Sequence, residues 1–491
     1  MADPTKSIPR QGIDREKILA EMQTLSGQDA NWRDARTWSL VFHHSDPHSE
    51  FLKKAHNLFF DANGLNPLAF KSLKTFETDV VRMAANLFHG DRNVVGVMTS
   101  GGTESIMLAV RTYRDWARAR RPRIKRPEMV VPDSVHVAFD KAGAYFDVDM
   151  VRVPLTKDYL ADVDAMARRI SRNTIALVGS ACCYPYGTVD PIEAIAAVAQ
   201  TRGLACHVDA CVGGFFLPFL ERIDPAAPRF DYRIPGVTSI SADVHKYGYA
   251  AKGASTITYR SIDYLKHQFF AQVDWAGGVY ASATIPGTRP GGSIAAAWAT
   301  LHALGEDGFV ENVRNVMAIT RKLQEGIRAI PGLEIVGRPP MSLFAYQSTD
   351  PKLNIYAVGD FLERRGWHID RQQKPASLHA MVNPNHAAVA DQYLADLHDA
   401  VAYVRAHPDA AVSGSAPAYG VMFKTPLRGL VKKNVLKMME AMYSAESEMP
   451  DLGSADVASG DDDAPPKPTA PPGIPKSVFA LMKIWNRIAR R

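Results

Sequence analysis

Between about Glu77 and Arg260 the chain alternates short apolar runs with longer segments of helical periodicity. "NVVGVMTS" leads into "TESIMLAVRTYRDWARA", and "EMVVPDS" leads into "HVAFDKAGAYF". "DMVRVPL", "TIALVGSA" and "LACHVDA" follow, with the helical "VDPIEAIAAVAQTRG" between the last two; "VTSISADV" and "ASTITYR" close the series. Runs this short and this apolar are strands buried on both faces, and their alternation with helices predicts a mostly parallel seven-stranded sheet in an α/β domain. After Gly292 the pattern turns helical in two blocks, "SIAAAWATLHALG" and "FVENVRNVMAITRKLQEGIRAI", and a smaller α+β portion follows. The expected division is an N-terminal segment over 1–75, a large domain over 76–315 and a small C-terminal domain over 316–446. A Pro-, Asp- and Ser-rich linker over 447–473 reads as disordered. The end, 474–491, is a basic amphipathic unit with Val478, Leu481, Met482, Trp485 and Ile488 on one face.

In an open parallel sheet, ligands sit at the carboxyl ends of the strands, and four polar loops fall there. The first, "TSGGTES", sets Gly102 and Thr103 at a helix start, which suits either a phosphate or a plain helix cap. In the second, His136 precedes a helix and is placed to cap it, to stack on a flat ring or to move protons. In the third, Asp209 ends an apolar strand, where a carboxylate is costly unless paired; Ala210 beside it leaves room for a ring. Asp209 could equally bond the next helix's N–H groups. The fourth, "SADVHKYGYAAKGAS", crowds small residues around His245 and Lys246 and adds Lys252 six residues later. An Asp for a pyridine nitrogen, a Lys for a Schiff base and a Gly/Ser/Thr cup together describe a pyridoxal 5'-phosphate site. Ser241 and His245 would add phosphate donors.

Composition narrows this little but usefully. A net charge of +5 over 491 residues makes no case for nucleic acid as a partner. Four cysteines, Cys182, Cys183, Cys206 and Cys211, have neither a disulfide framework's number nor a zinc site's spacing, so buried thiols and no metal are expected. "MADPTKSIPRQGID" lacks an apolar core for a secretory signal, and no apolar run approaches the ~20 residues of a membrane span; a cytoplasmic protein is expected. The tail 474–491 fits peripheral contact with an anionic membrane, or docking on its own dimer.

The motifs resemble those of the fold-type I pyridoxal-phosphate group and, within it, the sphingosine-1-phosphate lyase family. The segments that carry the likeness are "MTSGGTES", "HVDAC", "SISADVHKYGYAAKGAS" and "GGVYASATIPGTRPGG" (277–292), within a stretch from about Trp38 to Glu446. The resemblance implies that Lys246 carries the cofactor, Asp209 pairs with its ring nitrogen and His136 stacks on the ring. It also implies that Gly102, Thr103 and His245 hold the phosphate, with Gly287 and Thr288 reaching it from the second subunit of a homodimer with shared active sites. Tyr280 joins the cofactor set, and Tyr247 and Lys252 line the substrate entrance. The implied reaction is retro-aldol cleavage of a phosphorylated long-chain base to a fatty aldehyde and phosphoethanolamine. Two positions depart from the family: Phe42 stands where it has a Tyr, and Ala69-Phe70 follows Asn66-Pro67-Leu68 where it has His-Pro. They motivate an alternative, an amino-acid decarboxylase of the same superfamily; a cofactor-binding scaffold without turnover is a third reading.

Overall fold

The computed structural model describes residues 7–27, 29–407 and 428–444. The expected linker 447–473 and tail 474–491 lie outside the described residues.

All seven apolar runs are strands of one sheet: β1 (Val95–Thr99), β2 (Glu128–Pro132), β3 (Asp149–Val153), β4 (Thr174–Ser180), β5 (Ala205–Asp209), β6 (Ser239–Ala242) and β7 (Ser255–Tyr259). Their order is β1-β7-β6-β5-β4-β2-β3. β7 alone runs antiparallel to its neighbours, β1 and β6; the remaining pairs are parallel. The expected mixed, mostly parallel α/β sheet is therefore the one observed.

Alternation along each strand explains why both faces are covered. Val97, Met129, Val131, Ala176, Val178 and Ala205 point into one core with Leu108, Tyr113 and Trp116 of α4 (Gly102–Arg120) and Phe139 of α5 (Ala138–Phe146). Their neighbours Met98, Val130, Leu177, Cys206 and Val208 point into the other core with Val80 and Ala84 of α3 (Lys71–Leu87) and Ile195 and Ala199 of α7 (Ile192–Thr201). A period of two on strands and 3.6 on helices is all this requires.

The two helical blocks after Gly292 form α10 (Gly291–Ala329), broken at Gly305, whose φ of +60° favours glycine. Beyond it lies a four-stranded antiparallel sheet, β10 (Leu333–Ile335), β11 (Leu343–Ser348), β13 (Ala376–Met381) and β12 (Asp370–Gln373) in spatial order. The N-terminal segment is tied to this sheet. Thr37 bridges His368, the Met381 N–H donates to the Trp38 carbonyl at 2.8 Å, and the fully buried Trp38 ring stacks on His386 at 4.3 Å. Such ring pairs add ~0.5–1.5 kcal/mol beyond their area. Residues 37–42 are thereby held between the small sheet and the loop after β6. A short hairpin, β8 (Phe270–Gln272) and β9 (Tyr280–Ser282), stands apart. Among the described residues no helix is long and apolar enough to cross a membrane.

Candidate active site

Because β1, β2, β4, β5 and β6 share one direction, their carboxyl ends meet at one edge of the sheet. A cavity of about 380 Å³ lies there, lined among others by Gly101, Gly102, Thr103, His136, Tyr184, Asp209, Asp243, His245 and Lys246. Six expected residues are thus brought together: Gly102, Thr103, His136, Asp209, His245 and Lys246.

Lys246 sits in the turn after β6, its side chain 26% exposed, with Nζ 3.0 Å from Oδ2 of the buried Asp243. Burial opposes the ammonium, but the Asp243 carboxylate, with Cys211 and Asp209 adding, outweighs it, and the Lys246 pKa is raised. Asp243 answers in kind. Burial alone would push its carboxyl up; Lys246 and His245 more than offset this and hold it low. Its second oxygen, Oδ1, is buried without a hydrogen-bond partner. His245 accepts the Ala254 N–H at Nδ1 (3.2 Å), which leaves its proton on Nε2, 3.7 Å from Asp243. Burial is the main cause that lowers the His245 pKa, against the pull of Asp243.

Asp209 is gripped from behind. Its Oδ1 accepts the Cys211 N–H at 3.1 Å and the Ser241 hydroxyl at 3.3 Å. Ser241 also meets His207 Nε2 at 3.3 Å, and His207 Nδ1 meets the Ser239 hydroxyl at 2.7 Å. Burial lowers the His207 pKa to about 4, so this network is uncharged beyond Asp209 itself. His136, exposed at the cavity wall, accepts the Ala138 N–H at Nδ1 (3.1 Å) and lies edge-on to Tyr184 at 6.4 Å.

The first turn of α4 supplies free N–H groups, since its N-cap, Gly101, has no side chain to bond them. A Cβ on Gly102 would stand 2.8 Å from both Asp243 Oδ2 and Cys211 Sγ, so only glycine fits. A helix N-terminus for an anion, a lysine amine and a carboxylate at the end of β5 fit pyridoxal phosphate.

The other expected residues lie elsewhere. Ser241 is fully buried behind Asp209, and Ala210 is fully buried with its N–H on the Ser241 carbonyl. Tyr247 is not at an entrance. As the residue after Lys246 its side chain turns away from the cavity, is 1% exposed, packs edge-on to Phe42 and Phe216, and donates its hydroxyl to the Val382 carbonyl at 3.0 Å. Lys252 is exposed; its amine donates to the Leu40 carbonyl at 3.0 Å and stands 5.2 Å over the Phe42 ring. Desolvation of that amine, then the charge of Lys246, lowers its pKa to about 8. Tyr280, Gly287 and Thr288 are on β9 and the loop after it and do not line this chain's own cavity. All four cysteines are buried and unpaired.

Asp243 and Tyr184 line the cavity without having been singled out, and so do Cys182 and Cys211, expected only as buried thiols. Asp243 carried a signal: a carboxylate three residues before a lysine, in a stretch otherwise small and apolar, needs a partner. Tyr184, on the loop after β4, carried none.

The fold and this cavity define a pyridoxal-phosphate-dependent lyase, and the profile of the pyridoxal-dependent decarboxylase conserved domain matches residues 69–348. The chain is 41% identical over 441 residues to sphingosine-1-phosphate lyase of Oryza sativa, covering 88% of this chain and 81% of that protein. The solved sphingosine-1-phosphate lyase of Burkholderia pseudomallei superposes with a TM-score of 0.81 at 35% identity, covering 89% of this chain and 97% of that one. A probable L-aspartate decarboxylase of Pyrococcus furiosus is 34% identical over 362 residues, 74% of this chain and 94% of that protein. The chain belongs to the sphingosine-1-phosphate lyase family.

Proposed function

We propose that the protein cleaves a phosphorylated long-chain base between its amine-bearing carbon and the neighbouring hydroxyl-bearing carbon, releasing a long-chain aldehyde and phosphoethanolamine. The observation that carries this reading is Lys246 and Asp209 facing one cavity in a chain of this family. When bound, pyridoxal phosphate supplies an aldehyde that condenses with amines and a ring that takes up the electron pair of a broken bond. The α4 N-terminus with Gly102, Thr103 and His245 would hold its phosphate, and the exposed His136 ring would lie against the cofactor. Asp209, fixed by Ser241 and the Cys211 N–H, would keep a proton on the ring nitrogen. Asp243 holds the Lys246 proton until the amine is needed, because only the neutral amine is a nucleophile. Lys246, the amine facing the cavity, would return a proton to carbon. Lys252 would offer the substrate phosphate a cation from the Phe42 side, a reading supported by its amine standing over the Phe42 ring.

The same reading includes a homodimer in which Tyr280, Gly287 and Thr288 complete a second copy's site, and it places the enzyme in the cytoplasm in the breakdown of sphingolipid phosphates. The exposed apolar side chains of the β8–β9 hairpin and its flanks, Phe270, Trp275, Val279 and Ile285, support a surface that another copy covers. The tail 474–491 is assigned the membrane contact. A second reading, amino-acid decarboxylation, is favoured by Phe42 and Ala69 and by the Pyrococcus relative. Loaded enzyme incubated with sphingosine 1-phosphate should yield long-chain aldehyde and phosphoethanolamine in equal amounts. Carbon dioxide from L-aspartate or another amino acid, with no aldehyde from the lipid, would replace the first reading by the second.

A further inference from the structure

Glu104 occupies the third position of α4 and is 7% exposed. A glutamate there ordinarily reaches back to satisfy its own helix start. One oxygen does this: Oε2 accepts the Ser100 N–H and the Ser100 hydroxyl, each at 2.7 Å. The other does not. Oε1 accepts the N–H of Ile285, 181 residues away, at 2.9 Å. A second carboxylate makes the same kind of link on the opposite flank. Glu77, 4% exposed, accepts the Met98 N–H at 3.1 Å and is bridged twice by Arg289, at 2.6 and 3.0 Å. Arg289 also donates to the Gly64 carbonyl at 2.8 Å, and Asn63 reaches the Thr288 hydroxyl at 3.3 Å.

Both ends of the loop 285–289 are therefore bonded, through buried carboxylates, to both sides of the cup formed by residues 98–104. Burying a carboxylate is costly unless each oxygen is satisfied, so neither end of the loop moves freely without leaving a buried charge short of partners. Thr288 and Ile285 are nevertheless exposed, which leaves the outward face of the loop to something else.

We propose that Glu104 and the Glu77–Arg289 pair are positioning residues that couple the loop 285–289 to the phosphate cup of the same chain, so that seating the loop against a partner tightens cofactor binding. The proposal rests on the reading above for what enters the cup and what covers the loop. Coupling is reciprocal: cofactor at the cup must strengthen association through the loop by the same factor.

Two variants test it. Glu104→Gln keeps shape but offers one acceptor oxygen to two N–H groups, so it gives up Ser100 or Ile285. Arg289→Lys keeps charge but loses the two parallel bonds to Glu77. The probe is pyridoxal phosphate added to apo-protein. In the unaltered protein, amide exchange in peptides covering 286–292 should slow about fivefold or more, and the dimer dissociation constant from sedimentation should fall by a similar factor. In each variant both factors should drop below about twofold. A role confined to structure would lower the melting temperature and leave these factors as they are in the unaltered protein; that result overturns the proposal. A protein that stays monomeric with and without cofactor would refute the dimer reading alone, and the exchange measurement would still decide the coupling.

Discussion

The floor of the cavity and its rim are built by different means. The floor (Asp209, Lys246, His136 and the α4 N-terminus) stands at the carboxyl ends of β5, β6, β2 and β1 of one sheet, with Asp209 held by buried bonds from behind. Of the rim, Tyr184 lines the cavity, and beyond it residues 37–42, Lys252 and the small sheet are assembled from distant parts of the chain. Tyr184 shows the contrast in one side chain, since it lines the cavity while its hydroxyl donates to Asp370 of β12 at 3.0 Å. On the function proposed, chemistry common to a whole cofactor class falls to the rigid part, and selection of a substrate falls to the part that can be rebuilt by changing loops.

The contrast breaks first at Asp209. Asp209→Asn keeps the Ser241 contact but removes the charge that holds a ring proton, and turnover should fall about 10²–10⁴-fold with the protein still folded. A drop below tenfold would move the proton-holding role elsewhere. Tyr247→Phe sharpens the boundary from the other side. It strands the Val382 carbonyl, so stability should fall by about 1–3 kcal/mol in chemical denaturation while KM stays unchanged. A raised KM with unaltered stability would return Tyr247 to the substrate side.

At the rim the effects are smaller. Phe42→Tyr places a hydroxyl beside the Lys252 amine and should lower KM for a phosphorylated base about tenfold, as one hydrogen bond to a charged group does. No change in KM would show that Phe42 does not face substrate. The smallest effect is a titration. Desolvation, then the charge of Lys246, depresses the Lys252 pKa to about 8, so the amine carries its charge below that pH and loses it as the pH rises through about 8. Acylation of Lys252 followed by mass spectrometry should show half-maximal rate near pH 8, where an ordinary lysine is almost wholly protonated. A midpoint above pH 10 would refute that environment.

The same division explains what could be read from the chain alone. Seven short apolar runs sufficed for the large sheet because both of its faces are buried, and the cofactor residues follow those runs directly. Tyr247 misled because adjacency to Lys246 says nothing of which way a turn aims its side chains. Asp243 was legible in principle, as an acid among small residues. Tyr184 and the Glu104–Ile285 link were not: the first is tied to Asp370 across 186 positions, the second closes across 181, and neither leaves a local pattern.

The central claim is that Lys246, and not the nearby Lys252, is the amine that carries the cofactor. The direct measurement is borohydride reduction of the protein loaded with pyridoxal phosphate, followed by peptide mass mapping. A phosphopyridoxyl group on Lys246 is the result predicted; the group on Lys252, or no stable label at all, would contradict the account.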